Sequence, residues 1–143
     1  MRLLYVILPF LVITTAAKAQ SIGCGVKSAT PPEIAGNYVD NFGGLQAVSS
    51  SFWYSGGLVF ETCSVDNRTH SLIAFNNPRD AYNPDKFSRF EWTRSGNRLW
   101  FCQSVFDAAT EQAAQSAPPA DPSHPATDGC GAFAWSELIR ILP

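Results

Sequence analysis

Phe87-Ser-Arg-Phe-Glu-Trp-Thr-Arg-Ser-Gly-Asn-Arg-Leu-Trp-Phe-Cys-Gln-Ser-Val-Phe106 decides the fold. Ser95-Gly96-Asn97 is a turn signal in its middle. Before the turn, Phe90 and Trp92 alternate with Arg89, Glu91 and Thr93, so one face is apolar and the other polar. After the turn, Leu99, Phe101 and Val105 share one side while Trp100, Cys102 and Phe106 share the other. Both of those faces are apolar. The pattern predicts a hairpin whose second strand is central, or covered on both sides.

Upstream, four more runs read as strands: Gly36–Val39, Leu45–Tyr54, Leu58–Val65 and His70–Phe75. Turn residues separate them at Asn41–Gly44, Ser55–Gly57 and Asp66–Thr69, and a longer loop, Asn76–Asp85, carries Pro78 and Pro84. Six runs at a spacing of roughly 8–15 residues suit an antiparallel meander. The expected fold is therefore mainly β: a curled sheet, a sandwich or a small barrel. Downstream, Asp107–Ala117 is alanine-rich and predicts one short helix with Asp107 as its N-cap. Pro118-Pro119 ends it, residues 118–129 read as a proline-rich loop, and Phe133–Leu142 reads as a final strand or short helix.

The chain of 143 residues is long enough for one domain, with 45% hydrophobic and 15% charged residues. A net charge of −2 argues against electrostatic nucleic-acid binding, and the apolar fraction argues against disorder. Met1-Arg2, the apolar run Leu3–Ile13 and Ala17-Lys18-Ala19 predict a secretory signal peptide over residues 1–19. The run is shorter than the ~20 residues of a spanning helix, and Lys18 breaks its flank, against an uncleaved anchor. Cleavage leaves 124 residues; loss of Arg2 and Lys18 takes the net charge from −2 to −4. No later segment reaches membrane-spanning length, so the expectation is a secreted or periplasmic protein. Lipid anchoring at Cys24 is a secondary reading, weakened by Ser21 where an aliphatic residue is expected. Residues 20–33 read as a linker ending near Pro31-Pro32, and residues 34–143 as the domain.

Cys24, Cys63, Cys102 and Cys130 all fall after the signal segment. An even count in an exported chain predicts disulfides, with three pairings open. The spacings lack a zinc pattern, and no metal or cofactor is implied.

Four stretches carry a resemblance: Ile34-Ala-Gly-Asn-Tyr-Val-Asp-Asn-Phe-Gly-Gly44, Tyr82-Asn-Pro-Asp-Lys-Phe-Ser-Arg-Phe-Glu-Trp-Thr93, Trp100-Phe-Cys-Gln-Ser-Val-Phe-Asp-Ala-Ala-Thr110 and Pro125-Ala-Thr-Asp-Gly-Cys-Gly-Ala-Phe-Ala-Trp-Ser136. Together they resemble a group of exported, largely bacterial proteins of uncharacterised function. The resemblance implies a bridge between Cys102 and Cys130, leaving Cys24 to pair with Cys63. It implies no activity. Gly36-Asn37-Tyr38 before a meander is also similar to the start of lipocalin and avidin barrels.

Among candidate chemistries, a triad would draw on His70 or His124, and the loop Asp121-Pro-Ser-His-Pro-Ala-Thr-Asp128 gathers Asp121, Ser123, His124 and Asp128. A paired-carboxylate hydrolase would use Asp40, Glu61 or Glu91. Glu61 and Glu91 alternate with apolar neighbours, which predicts solvent-facing positions. Trp53, Tyr54, Trp92 and Trp100 are candidate ligand-binding aromatics, with Trp53 and Tyr54 the expected exposed pair beside Gly56-Gly57. Arg94 and Arg98 flank the hairpin tip and offer an anion contact; Asn67-Arg68-Thr69 is a glycosylation sequon in a turn. The leading expectation is a noncatalytic module binding a small ligand or a cell-envelope partner. A lipocalin-like carrier of a small apolar ligand and a secreted hydrolase are the alternatives.

Overall fold

The computed structural model describes residues 23–27 and 30–141. The expected signal peptide, residues 1–19, lies outside them, as does Leu142 at the end of the last predicted run. The elements are β1 (Gly36–Asp40), β2 (Leu45–Val48), β3 (Phe52–Ser55), β4 (Leu58–Asp66), β5 (Ser71–Asn76), β6 (Phe87–Ser95), β7 (Arg98–Ala108), α1 (Glu111–Ser116), β8 (Gly129–Cys130), β9 (Phe133–Ala134) and β10 (Ser136–Arg140). Eight strands close a barrel in the order β1-β10-β7-β6-β5-β4-β3-β2, every pairing antiparallel, and β8 and β9 form a separate ribbon.

Two differences from the predicted meander account for the larger strand count. The run Leu45–Tyr54 is not one strand but two. Ser49 Oγ accepts from the backbone N–H of Ser51 and Phe52, at 3.2 and 3.1 Å. Serine hydroxyls thus offer the backbone a local partner in place of the ladder, and the chain reverses. The C-terminal run supplies the eighth strand. Val39 pairs with Ile139 on one side and with Leu45 on the other, so β10 joins the first strand to β7 and removes both sheet edges.

The helix also differs. It spans Glu111–Ser116, and Thr110, not Asp107, is the N-cap, its hydroxyl accepting from Ala113 N at 3.1 Å. Ala108 remains in β7 opposite Phe87. Long strand pairing has overridden the helix propensity of Ala108 and its neighbours. His70, predicted to open a strand, is a turn residue with φ 53°, and β5 begins at Ser71.

The barrel interior is filled by side chains. Tyr38, Trp53, Phe60, Phe90, Trp92 and Phe101 are buried there with Leu72, Leu99 and Leu138. Trp53 stacks on Phe90 with ring centroids 4.5 Å apart, and Phe60 meets the same ring edge-on at 5.0 Å. Each large apolar side chain buried this way contributes about 1.5–3 kcal/mol. Two polar pairs lie among the buried side chains: Trp53 Nε1 donates to Gln46 Oε1 at 2.9 Å, and Ser88 Oγ donates to Asn76 Oδ1 at 2.6 Å; the buried Thr62 hydroxyl has no partner among the described residues.

Over Leu99–Cys102 both sides of β7 are covered, as the pattern predicts; beyond the register shifts opposite Arg89 the alternation is lost, and Val105 packs in the outer cluster with Phe75 and Phe87 while Phe106 is exposed. Leu99 and Phe101 face the barrel core, while Trp100 and Cys102 pack outside with Trp135, Ala120 and Cys130. A disulfide joins Cys102 to Cys130 and a second joins Cys24 to Cys63. Each bridge of this loop length contributes about 2–4 kcal/mol by restricting the unfolded chain. The Cys24 sulfur, bonded to Cys63, is not free to carry a lipid. Pro32 is also fully buried, so the predicted linker packs against the barrel at its end.

Candidate functional site

The aromatic candidates divide among three environments. Trp53, expected to be exposed, is fully buried in the core, because β3 turns alternate residues inward. Tyr54, its neighbour, is half-buried on the outer wall, opposite Ala47 and Val59. Trp92 faces inward at one mouth of the barrel, where its Nε1 donates to Glu33 Oε1 at 2.9 Å. Trp100 faces outward beneath the 120–135 segment, and the Arg98 guanidinium lies 4.5 Å from its ring centroid. The four rings therefore do not line one pocket.

The acids are tied up in structural roles. Asp40 Oδ1 accepts from the N–H groups of Phe42 and Gly44, and its Oδ2 accepts from Gln46 Nε2 at 2.9 Å. That chain continues through Gln46 to Trp53 and anchors the β1–β2 turn to the core. A Cβ on Gly44 would come within 2.5 Å of the Asp40 carboxylate, so the close approach requires glycine. Glu61 is ion-paired with Lys27.

Glu91, predicted to face solvent, is only 8% exposed, and Arg89 beside it only 5%. They do lie on the outer face of β6, but α1 and the chain after it cover them. Arg89 Nη1 donates to the carbonyl of Ala117 at 2.6 Å and its Nη2 to Pro118 at 2.5 Å. Longer bonds reach Ala114 and Gln115. Those of Ala114, Gln115 and Ala117 are helix C-terminal carbonyls, which favour a cation, and Pro118 follows directly. Glu91 Oε2 accepts from Ala120 N at 2.9 Å, and its Oε1 is 3.5 Å from Arg89 Nε. The pair fastens the 109–120 segment to the barrel. A groove of about 470 Å³ with mixed polar and apolar lining runs past it, between the Asp66–Ser71 turn and the end of α1.

The histidine loop does not converge. Ser123, His124 and Asp128 are all exposed, and His124 is bound through its backbone carbonyl, which accepts from Thr127 N and Asp128 N. Ser123 N instead donates to Asp121 Oδ1 at 2.9 Å; hydrogen bonds from Ser123 hold the Asp121 carboxyl below its ordinary range. Gly129 closes the loop with φ 93°, and a Cβ there would meet the Asp121 carbonyl oxygen at 1.9 Å. His70 Nε2 lies 3.5 Å from Glu33 Oε1. The Asn67 side chain of the sequon accepts from Glu33 N at 2.9 Å and donates to the Pro31 carbonyl at 3.0 Å. Among the described residues, no three His, Cys, Asp or Glu side chains gather as a metal site.

One surface feature is not among the sequence expectations. Among the described residues, nothing covers the apolar wall formed by outward side chains of β10, β1, β2, β3 and β4. Leu45 is 56% exposed, Ile139 47%, Val59 42% and Phe52 40%. Val39 lies between Ile139 and Leu45 in the register, and Tyr54 lies between Ala47 and Val59. Phe42, in the β1–β2 turn, extends the apolar surface beyond the barrel rim. The charged side chains at its borders are already paired: Glu61 with Lys27, and Glu137 with Arg98. The alternation within each short strand was legible, but not which strands would lack a cover.

Against known proteins, the chain matches no family model, no curated protein and no solved structure.

Proposed function

We propose that the chain is an exported, noncatalytic module that binds another protein through the bare half of its barrel wall. Export rests on the signal-like N-terminal segment and on the two disulfides, which persist in oxidising compartments. Binding rests on one observation: the contiguous row Ile139–Val39–Leu45 beside Ala47, Tyr54 and Val59, apolar apart from Asn37 at its edge and free of charged side chains at its centre. Exposed apolar patches of this kind mark protein-interaction sites. A neutral centre favours a partner whose matching surface is also apolar. The carrier reading draws no such support, because aromatic rings occupy the barrel interior. The hydrolase reading lacks a convergent acid pair or histidine pair.

Photo-crosslinking from p-benzoylphenylalanine at position 45, in cells that export the protein, tests the reading. The captured protein is then purified and its affinity measured. The expected result is direct binding, weakened about tenfold or more by Leu45→Asp or Val59→Asp, a loss of at least about 1.4 kcal/mol. Adducts formed only between two copies or only with lipid would overturn it, as would a partner that binds the variants equally well.

A further inference from the structure

At the end of the barrel that carries the Gly96 hairpin, β10 parts from β7. The two strands pair as far as Leu138 opposite Leu99. Beyond that point β10 follows β1 to Arg140 opposite Tyr38, while β7 follows β6 to Arg98 opposite Ser95. The gap is a cleft of about 460 Å³ with buried Leu99 and Leu138 in its lining.

Three arginines line this cleft, and their partners differ. Arg98 makes two hydrogen bonds to the Glu137 carboxylate, so its charge is matched. Arg140 donates to the Ala35 carbonyl at 3.1 Å and to Tyr38 Oη at 3.3 Å, and its guanidinium lies 5.4 Å from the Tyr38 ring centroid. None of those groups is an anion. The side chain of Arg94, opposite Leu99 in the register, has no hydrogen bond or ion pair among the described residues. The remaining carboxylate, Glu33, is occupied by Trp92 Nε1 and faces His70. Gly36 keeps room for the Arg140 guanidinium: a Cβ there would lie 2.8 Å from Arg140 Nη2. Among the described residues, two guanidiniums without a counter-ion therefore border an apolar floor in one cleft. Guanidinium groups recognise carboxylates through paired N–H donors.

We infer that this cleft binds a small amphipathic carboxylate. Its carboxylate engages Arg94 and Arg140, and its apolar body lies over Leu99 and Leu138. The cleft shares Ile139 with the border of the bare wall but includes neither Leu45 nor Val59, so substitutions at Leu45 and at Arg94 test the two proposals separately.

Calorimetric titration of the oxidised protein with octanoate, acetate and inorganic phosphate tests the inference. Octanoate is expected to bind, and acetate and phosphate to bind at least about tenfold more weakly for lack of the apolar body. Added salt should weaken octanoate binding. Arg94→Gln should weaken it about tenfold or more, with an unchanged unfolding curve, because the exposed Arg94 side chain makes no hydrogen bond or ion pair among the described residues. Arg140→Gln should act in the same direction, and Leu45→Asp should leave octanoate affinity unchanged. No binding of octanoate at millimolar concentration would overturn the inference. Equal affinity in wild type and Arg94→Gln, or equal affinity for all three anions, would overturn it too.

Discussion

The two halves of the barrel wall have similar outward chemistry and different fates. On β5, β6 and β7 the outward residues include Ile73, Phe75, Phe87, Trp100 and Cys102, and all are buried. On β10, β1, β2, β3 and β4 they include Ile139, Val39, Leu45, Tyr54 and Val59, and none is fully buried. The difference is made by chain that is not in the barrel. Residues 109–135 fold back over the first half, held by Arg89, by Glu91 and by the Cys102–Cys130 bridge. Cys24, bonded to Cys63, extends that covered layer. Among the described residues, nothing comparable crosses the second half. An outward apolar side chain therefore reports stability in one half and an available surface in the other.

Substitutions in the two halves should separate accordingly. The largest effect is expected from Arg89→Met. It leaves Glu91 buried without its cation and strips the last carbonyls of α1 of their donor, at a cost of about 3–5 kcal/mol. Urea unfolding followed by Trp fluorescence measures it, and a loss below about 1 kcal/mol would mean that the cover is not held by this pair. The double variant Cys102→Ala with Cys130→Ala comes next, losing about 2–4 kcal/mol. Proteolysis should then cut within 118–129 before it cuts the barrel, whereas simultaneous cutting would merge the two layers into one unit.

On the bare half, Leu45→Ser should change stability by no more than about 0.5 kcal/mol, since the side chain already meets water. A larger loss would show that the wall is covered in solution. The smallest effect is one of pH. Hydrogen bonding to Arg98 holds the Glu137 carboxyl below its ordinary range. A depressed carboxylate stabilises the fold above its unfolded value and loses that contribution as pH falls through its folded value. Arg98→Gln should therefore cost stability at neutral pH and cost progressively less in acid. An equal loss at both pH values would assign the effect to Arg98 packing on Trp100 instead.

Much of this architecture was legible in short stretches of chain. Alternation in Phe87–Phe106 identified the hairpin and the doubly covered β7, because side-chain direction in a strand has a period of two. The turn signals at Gly43-Gly44, Gly56-Gly57 and Gly96 lie where the strands reverse. Errors arose where a distant partner decided the outcome. Trp53 looked exposed beside serines and glycines, but the barrel curls its side of β3 inward onto Phe90. Glu91 looked solvated by its alternation, but Ala120 N and Arg89 reach it from across the cover.

Local chemistry was sufficient to specify a strand meander, its turns and the presence of disulfides. Those features depend on residues a few positions apart. Closure of the barrel depends on Val39 meeting Ile139, and the cover on Arg89 meeting Ala117 and Pro118. Such contacts join residues far apart in the chain, and their energy appears only once the intervening segments have packed. For the same reason the bare wall and the arginine cleft emerge only in three dimensions: each is defined by what the folded chain leaves uncovered.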